Sequence, residues 1–191
     1  MRKNTKGFTL IELLIVVAII AILAAIAIPN FLAAQIRSKV SRVKGEMATM
    51  ATALESYYVD NNAYPNMVGD DGQPNMYGTP HVDNTVTTPI AYITNQPIDI
   101  FRVGKFANDP TKPLAMRYFY QNWDFYIRTA VGTVPNPYSY GLGIYGPWKL
   151  VSSGPATITM SWTIIYDPSN GVVSNGSIAR TAKSASGDWN P

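Results

Sequence analysis

The sequence predicts an α+β fold: one long N-terminal helix, its first half transmembrane and its second half amphipathic, packed on a small antiparallel β-sheet domain. Three observations predict it. No polar side chain interrupts residues 13–28. Beyond them Ile36, Val40, Val43, Met47, Met50, Leu54 and Tyr58 recur every three or four residues, the apolar stripe of a helix. In the second half, apolar and aromatic residues alternate with polar ones over 117–121, 124–129, 148–152, 158–166 and 172–178, the period of strands. A helix followed by a run of strands argues for α+β.

The first element to justify is the apolar run. It reaches back to Phe8, broken only by Thr9 and Glu12, and follows the cations Arg2, Lys3 and Lys6. About 20 apolar residues at about 1.5 Å each cross the roughly 30 Å hydrocarbon core of a bilayer. The cations favour the cytoplasmic side, leaving the rest of the chain on the far side. Glu12 is anomalous, because a carboxylate at membrane depth costs several kcal/mol unless it is paired or close to the interface. Pro29 removes one backbone hydrogen bond and is expected to kink or locally open the helix. The stripe carries that helix on to about Asn61, near 80 Å in all at 1.5 Å per residue.

Asp60-Asn61-Asn62 ends the helix, and residues 66–88, rich in Gly, Pro, Asn and Asp, read as a long surface loop. Residues 87–93 read as a short helix or an extended packing segment. In Asp167-Pro168-Ser169-Asn170-Gly171, Pro presets φ and Gly accepts a positive one, so it reads as a turn. Asn175-Gly176 is a candidate second turn, and the small polar tail 182–191 reads as loose. The expected organisation is therefore 1–7, a segment preceding the fold; 8–31, the transmembrane helix; 32–62, the amphipathic helix; 63–181, loop and sheet; and 182–191, the tail.

A basic leader, Gly7, and then Phe8-Thr9-Leu10-Ile11-Glu12 opening a long apolar run resembles the class III signal of type IV pilins and type II secretion pseudopilins. The resemblance implies that a prepilin peptidase cleaves between Gly7 and Phe8 and N-methylates Phe8. It implies that subunits leave the inner membrane through an assembly platform and stack their helices into a homopolymer with minor pilins or pseudopilins. Glu12 would then pair with the Phe8 amine of a neighbour, and an unpaired partner would cost about 3–5 kcal/mol. Residues 87–93, 97–101, 148–155 and 166–178 further resemble the major pseudopilin of type II secretion. That implies a non-enzymatic subunit of a periplasmic pseudopilus driving protein export; the alternative is a type IV pilin of a surface fibre serving adhesion, motility or DNA uptake. A third reading, an ordinary signal peptide cut after Ala25-Ile26-Ala27, is opposed by Glu12 and by the amphipathic continuation.

Composition narrows the chemistry. The formal charge of +3 includes three leader cations among 15 basic residues, so the chain from Phe8 onward carries 12 of each sign. The pI near 9.0 of the full 191-residue sequence is then no argument for nucleic acid. The 14-residue glycine complement includes Gly141-Leu142-Gly143-Ile144-Tyr145-Gly146, which fits a dinucleotide fingerprint, but Pro147-Trp148 follows where a helix should open. With no cysteine and one histidine, His81, a zinc site or a Ser-His triad is not expected, and His81 reads as an exposed loop residue. Lys105-Phe106 and the stretch from Arg117 through Tyr118, Phe119, Tyr120, Trp123, Phe125 and Tyr126 to Arg128 interleave cations with aromatics. Such a face would stack single-stranded nucleic acid, yet these are also ordinary strand residues. No cofactor is expected. The pseudopilin resemblance implies a calcium loop near the C-terminus, but Asp167 is the only acid between 156 and 180. Ca²⁺ takes about 6–8 oxygens, so a weak site at Asp167 and Asn170 stands behind simple turn chemistry there.

Overall fold

The computed structural model describes residues 7–74, 80–103, 111–125, 136–155, 165–167, 169, 174 and 176–184. Helix α1 (Leu10–Asn61) runs unbroken for 52 residues, about 78 Å at 1.5 Å per residue. Thr9 caps its start. The Thr9 side chain accepts from the Glu12 N–H while the Glu12 carboxylate accepts from the Thr9 N–H, a reciprocal capping box. Asn62 ends the helix in the left-handed region at φ 50° and donates its N–H to the Tyr58 carbonyl, one of the few jobs a non-glycine side chain tolerates there.

Only the second half of α1 meets the domain. Val40, Val43, Met47, Met50, Ala51 and Leu54 are buried. The facing layer is a three-stranded antiparallel sheet of β3 (Phe119–Asn122), β4 (Trp148–Ser152) and β5 (Ile178–Thr181), in the order β3-β4-β5. Its register pairs Tyr120 with Leu150 and Asn122 with Trp148, and Ser152 with Ile178. Strand alternation therefore turns Tyr120, Trp148, Leu150 and Ile178 toward the helix, where they join its core. Phe119, Val151 and Ala179 form a separate cluster on the opposite face. Helix α2 (Asn136–Tyr145) precedes β4.

The segment expected as one long loop has structure of its own. Strands β1 (Met67–Val68) and β2 (His81–Val82) pair antiparallel, and a 3-10 turn follows at Asn84–Val86. Met67, Val82 and Val86 are core residues, so apolar side chains between Gly, Pro and Asn tie this segment down. Residues 87–93 form no regular element; the Tyr92 and Ile93 N–H groups both donate to the Val86 carbonyl.

The strand expected at 148–152 is present, and that at 117–121 is shifted to 119–122, with Arg117 bridging Ile98 instead. Residues 123–125 are a helical turn rather than the start of a strand, and 126–129 lie outside the described residues. Of the stretch 158–166 only the Ile165 bridge to Ser177 and the residue after it are described. The expected strand 172–178 begins instead at Ile178 and continues to Thr181. Its positions 172, 173 and 175, like the Asn175 half of the second turn, lie outside the described residues, as does the tail from 185.

Candidate functional site

The exposed N-terminal half of α1 is the feature of this molecule without a counterpart in the core. From Leu10 to Leu32 every large apolar side chain is solvent-facing, with Ile22 at 63%. The most apolar 18-residue window has a mean hydropathy of 3.2 and none of it is buried. A contiguous exposed apolar surface of this size is stable only against another apolar phase, lipid or sister helices. This is the one described helix long and apolar enough to cross a membrane.

Gly7 and Phe8 lead into this surface, both exposed, Phe8 at 76%. Glu12 does not hang free in it. Its Oε2 accepts from the Thr9 N–H at 2.9 Å and from the Thr9 hydroxyl at 2.6 Å, and its own N–H donates to that hydroxyl at 3.3 Å. Four of the orphan N–H groups at a helix start lack intrahelical partners, and this arrangement satisfies two. Sequence reasoning gave Glu12 only an intermolecular partner, although Thr-Leu-Ile-Glu is itself the capping-box spacing. Pro29 sits inside the helix, which continues past it, and the Asn30 side chain donates to the Ile26 carbonyl at 3.0 Å.

The other sequence candidates fall elsewhere. His81 is fully buried, a correction to its reading as an exposed loop residue. Its Nε2 lies 2.8 Å from Asp70 Oδ1 and its Nδ1 3.0 Å from the Tyr118 carbonyl. Its ring stacks on Phe119 at 5.4 Å, and the Arg102 guanidinium lies 3.9 Å from the Phe119 ring centre. Nearby, Asp99 is wholly buried, and its carboxylate accepts from the Phe101 and Ser153 N–H groups at 3.0 and 2.9 Å. Burial pushes its carboxyl above the usual carboxylate range, against those two hydrogen bonds. These residues lock the loops to the outer sheet face; polar residues scattered from Asp70 to Ser153 carry no periodic signal that would have found them.

Among the described residues, the interleaved cations and aromatics form no exposed stacking face. Tyr118, Phe119, Tyr120 and Trp123 are core residues, and Arg117 donates to the Asn84 and Gln96 side chains. Lys105, Phe106, Tyr126 and Arg128 lie outside the described residues. Gly141 and Gly143 sit within α2 and Gly146 follows its end at φ 82°, so the glycine pattern closes a helix instead of opening one. A groove of about 700 Å³ runs beside α1, lined among others by Glu55, Tyr64, Trp148 and Arg180. Glu55 there accepts from Trp148 Nε1 at 2.7 Å and from the Tyr64 hydroxyl at 3.1 Å, so its carboxylate serves the helix-sheet seam. Among the described residues no group of three or more His, Cys, Asp or Glu is arranged to hold a metal. Asp167 is exposed, and its Oδ1 accepts from the Ser169 N–H at 2.8 Å, a side-chain turn; Asn170 lies outside the described residues.

Comparison with known proteins agrees with where this geometry concentrates. Residues 2–28 match the family model of the prokaryotic N-terminal methylation motif. The type IV major pilin protein of Myxococcus xanthus is 47% identical over 79 residues, 39% of this chain and 36% of that protein. The type IV wide pilus major component of Thermus thermophilus is 55% identical over 62 residues, 32% of this chain and 47% of that protein. Type II secretion system core protein G of Pseudomonas aeruginosa is 44% identical over 64 residues, 34% of this chain and 45% of that protein. The chain thus spans between about a third and a half of the length of these curated relatives. No solved structure matches.

Proposed function

We propose that this chain is a structural subunit of a pilin-like filament, held in a membrane by residues 8–31 until its apolar helix exchanges lipid for sister helices. The observation that carries this reading is the coincidence of the methylation motif with a helix half whose apolar side chains face no part of the domain. Cleavage between Gly7 and Phe8 creates an amine next to the apolar surface. The Glu12 carboxylate of another copy is then the complementary charge, in an environment where an unpaired ion is costly. The helices supply the cohesion and the ion pair fixes their register. The partners are a prepilin peptidase, an inner-membrane assembly platform and minor subunits. The domain faces the side opposite the leader cations, the periplasm.

Within that reading we assign the subunit to a type II secretion pseudopilus, supported by the blocks at 87–93, 97–101 and 148–155 and by the likeness to core protein G. A surface type IV pilus is the second reading, favoured by the names of the Myxococcus and Thermus relatives. No cofactor is part of the proposal: the Asp167 turn is held by its own hydrogen bonds, and millimolar Ca²⁺ against chelator should leave the thermal midpoint of the protein in detergent unchanged. A rise of more than a few degrees that Asp167→Ala removes would establish a metal loop instead. Mass spectrometry of the mature protein tests the main reading. An N-methylated Phe8 terminus is expected; a chain beginning at Ile28 would mark an ordinary signal peptide and end the filament assignment.

A further inference from the structure

Between Glu12 and Glu46 the chain has no acidic residue, and all four of its cations there fall within eight positions: Arg37, Lys39, Arg42 and Lys44. All four are exposed on α1. Arg42 reaches Glu46 at 2.7 Å; Arg37, Lys39 and Lys44 make no ion pair or side-chain hydrogen bond among the described residues. Two features of their placement point to one occupant.

The first is height. Leu32 is the last large, exposed apolar side chain of the run. Arg37 follows it by about 8 Å along the axis and Lys44 by about 18 Å, at 1.5 Å per residue. The headgroup layer on one side of a bilayer is about 5–8 Å thick. Arg37 and Lys39 therefore fall within or just above it, Arg42 lies within roughly one Debye length, about 8–10 Å, of its charges, and Lys44 lies just past that distance, within reach of its long side chain. The second is angle. At about 100° per residue, Arg37 and Lys44 lie together on one flank of the helix and Lys39 and Arg42 about 140–200° around it. Val40, Val43 and Met47, buried against the domain, occupy the side between them. A single protein partner would be met by one stripe; cations on both flanks suit a plane that surrounds the helix.

We propose that Arg37, Lys39, Arg42 and Lys44 form a collar that binds the anionic headgroups of the leaflet on which the domain stands. The collar sets how deep the helix sits and seats the domain on the membrane. It also runs against the usual excess of cations on the leader side, so the interaction draws on anionic lipid and not on topology. The inference needs residues 8–31 to lie in a bilayer but needs no part of the filament reading.

Because the chain has no cysteine, Ser41→Cys gives a unique spin-label position inside the collar, and Ile20→Cys one inside the apolar run. The full chain would be reconstituted in phosphatidylcholine vesicles with and without phosphatidylglycerol, with an aqueous nickel relaxer on both sides. In anionic vesicles at low salt the Ser41→Cys label should lose about threefold in aqueous accessibility relative to neutral vesicles. About 0.5 M salt should restore it, as should Arg37→Gln, Lys39→Gln and Lys44→Gln combined. The Ile20→Cys label reports separately on the bilayer itself: aqueous exposure there would remove the membrane reading. Accessibility at Ser41→Cys that ignores lipid charge, a loss of accessibility that persists in the triple variant, or a loss that follows the protein-to-lipid ratio would overturn the collar, the last by identifying a second copy as the occupant.

Discussion

At the scale of single residues, hydrogen bonds decide roles that charge alone leaves open. In one chain the Glu12 carboxylate already has two donors from Thr9, so it is a satisfied cap and not a bare ion. Glu12→Ala should lose the cap, about 1 kcal/mol of helix-start stability, together with the charge; Glu12→Gln keeps an acceptor for the Thr9 N–H but no charge. If pairing with the Phe8 amine drives polymerisation, both variants should insert in the membrane and both should lower filament yield about tenfold or more. Wild-type yield with Gln would mean that the acceptor alone matters. His81 shows the opposite limit of local reading. Its burial arises from pairing of β1 with β2 and from contacts with Asp70 and Tyr118, 11 and 37 residues away, none of which leaves a mark beside it in the sequence. Asp70→Asn keeps the size but weakens a largely buried partner, and should lower the unfolding free energy by about 1–3 kcal/mol, read as a lower denaturant midpoint at unchanged slope.

At the scale of elements, legibility followed the length of the repeating signal. Helix α1 was readable because seven stripe residues keep one period, and strand β4 because Trp148, Lys149 and Leu150 alternate before the apolar Val151 extends the run. The two-residue strands β1 and β2 are too short to have one. Strand β4 also holds a titration that no pattern discloses. Lys149 is 2% exposed beside the Tyr145 ring, and burial holds its ammonium down at about 8, against 10.5 in an ordinary lysine. Between those pH values the unfolded chain keeps a proton that the folded chain has released, so stability should rise with pH. Tyr64, Tyr118 and Tyr120 act in the other direction. Burial pushes all three phenols above their usual 10, so above pH 10 the unfolded chain ionises first and stability should fall. Urea midpoints from pH 7 to 11 should therefore climb from about 8 and turn over near 10. Lys149→Met should remove the climb and leave the fall; a climb that survives it would assign the proton elsewhere.

At the scale of the whole molecule, the chain is one helix serving two solvents. Its distal half is committed to the domain through Val43, Met47 and Leu54, each no more than 1% exposed. Its proximal half touches nothing of the domain: the first residue packed against the core is Ile36, partly buried, and the first buried one is Val40. The two halves should then be energetically separable. Leu54→Ala should cost the domain about 2–5 kcal/mol through lost burial and a cavity, whereas Ile20→Ala should leave its denaturation unchanged and weaken only association between helices. Taken to its limit, a chain beginning at Ala34 should be a soluble monomer whose denaturant midpoint and slope match those of the full chain in detergent, because no surface buried on folding has been removed. A smaller slope, or loss of cooperative unfolding, would mean that residues before Ala34 contribute to the domain and that the helix is not divided near Ile36.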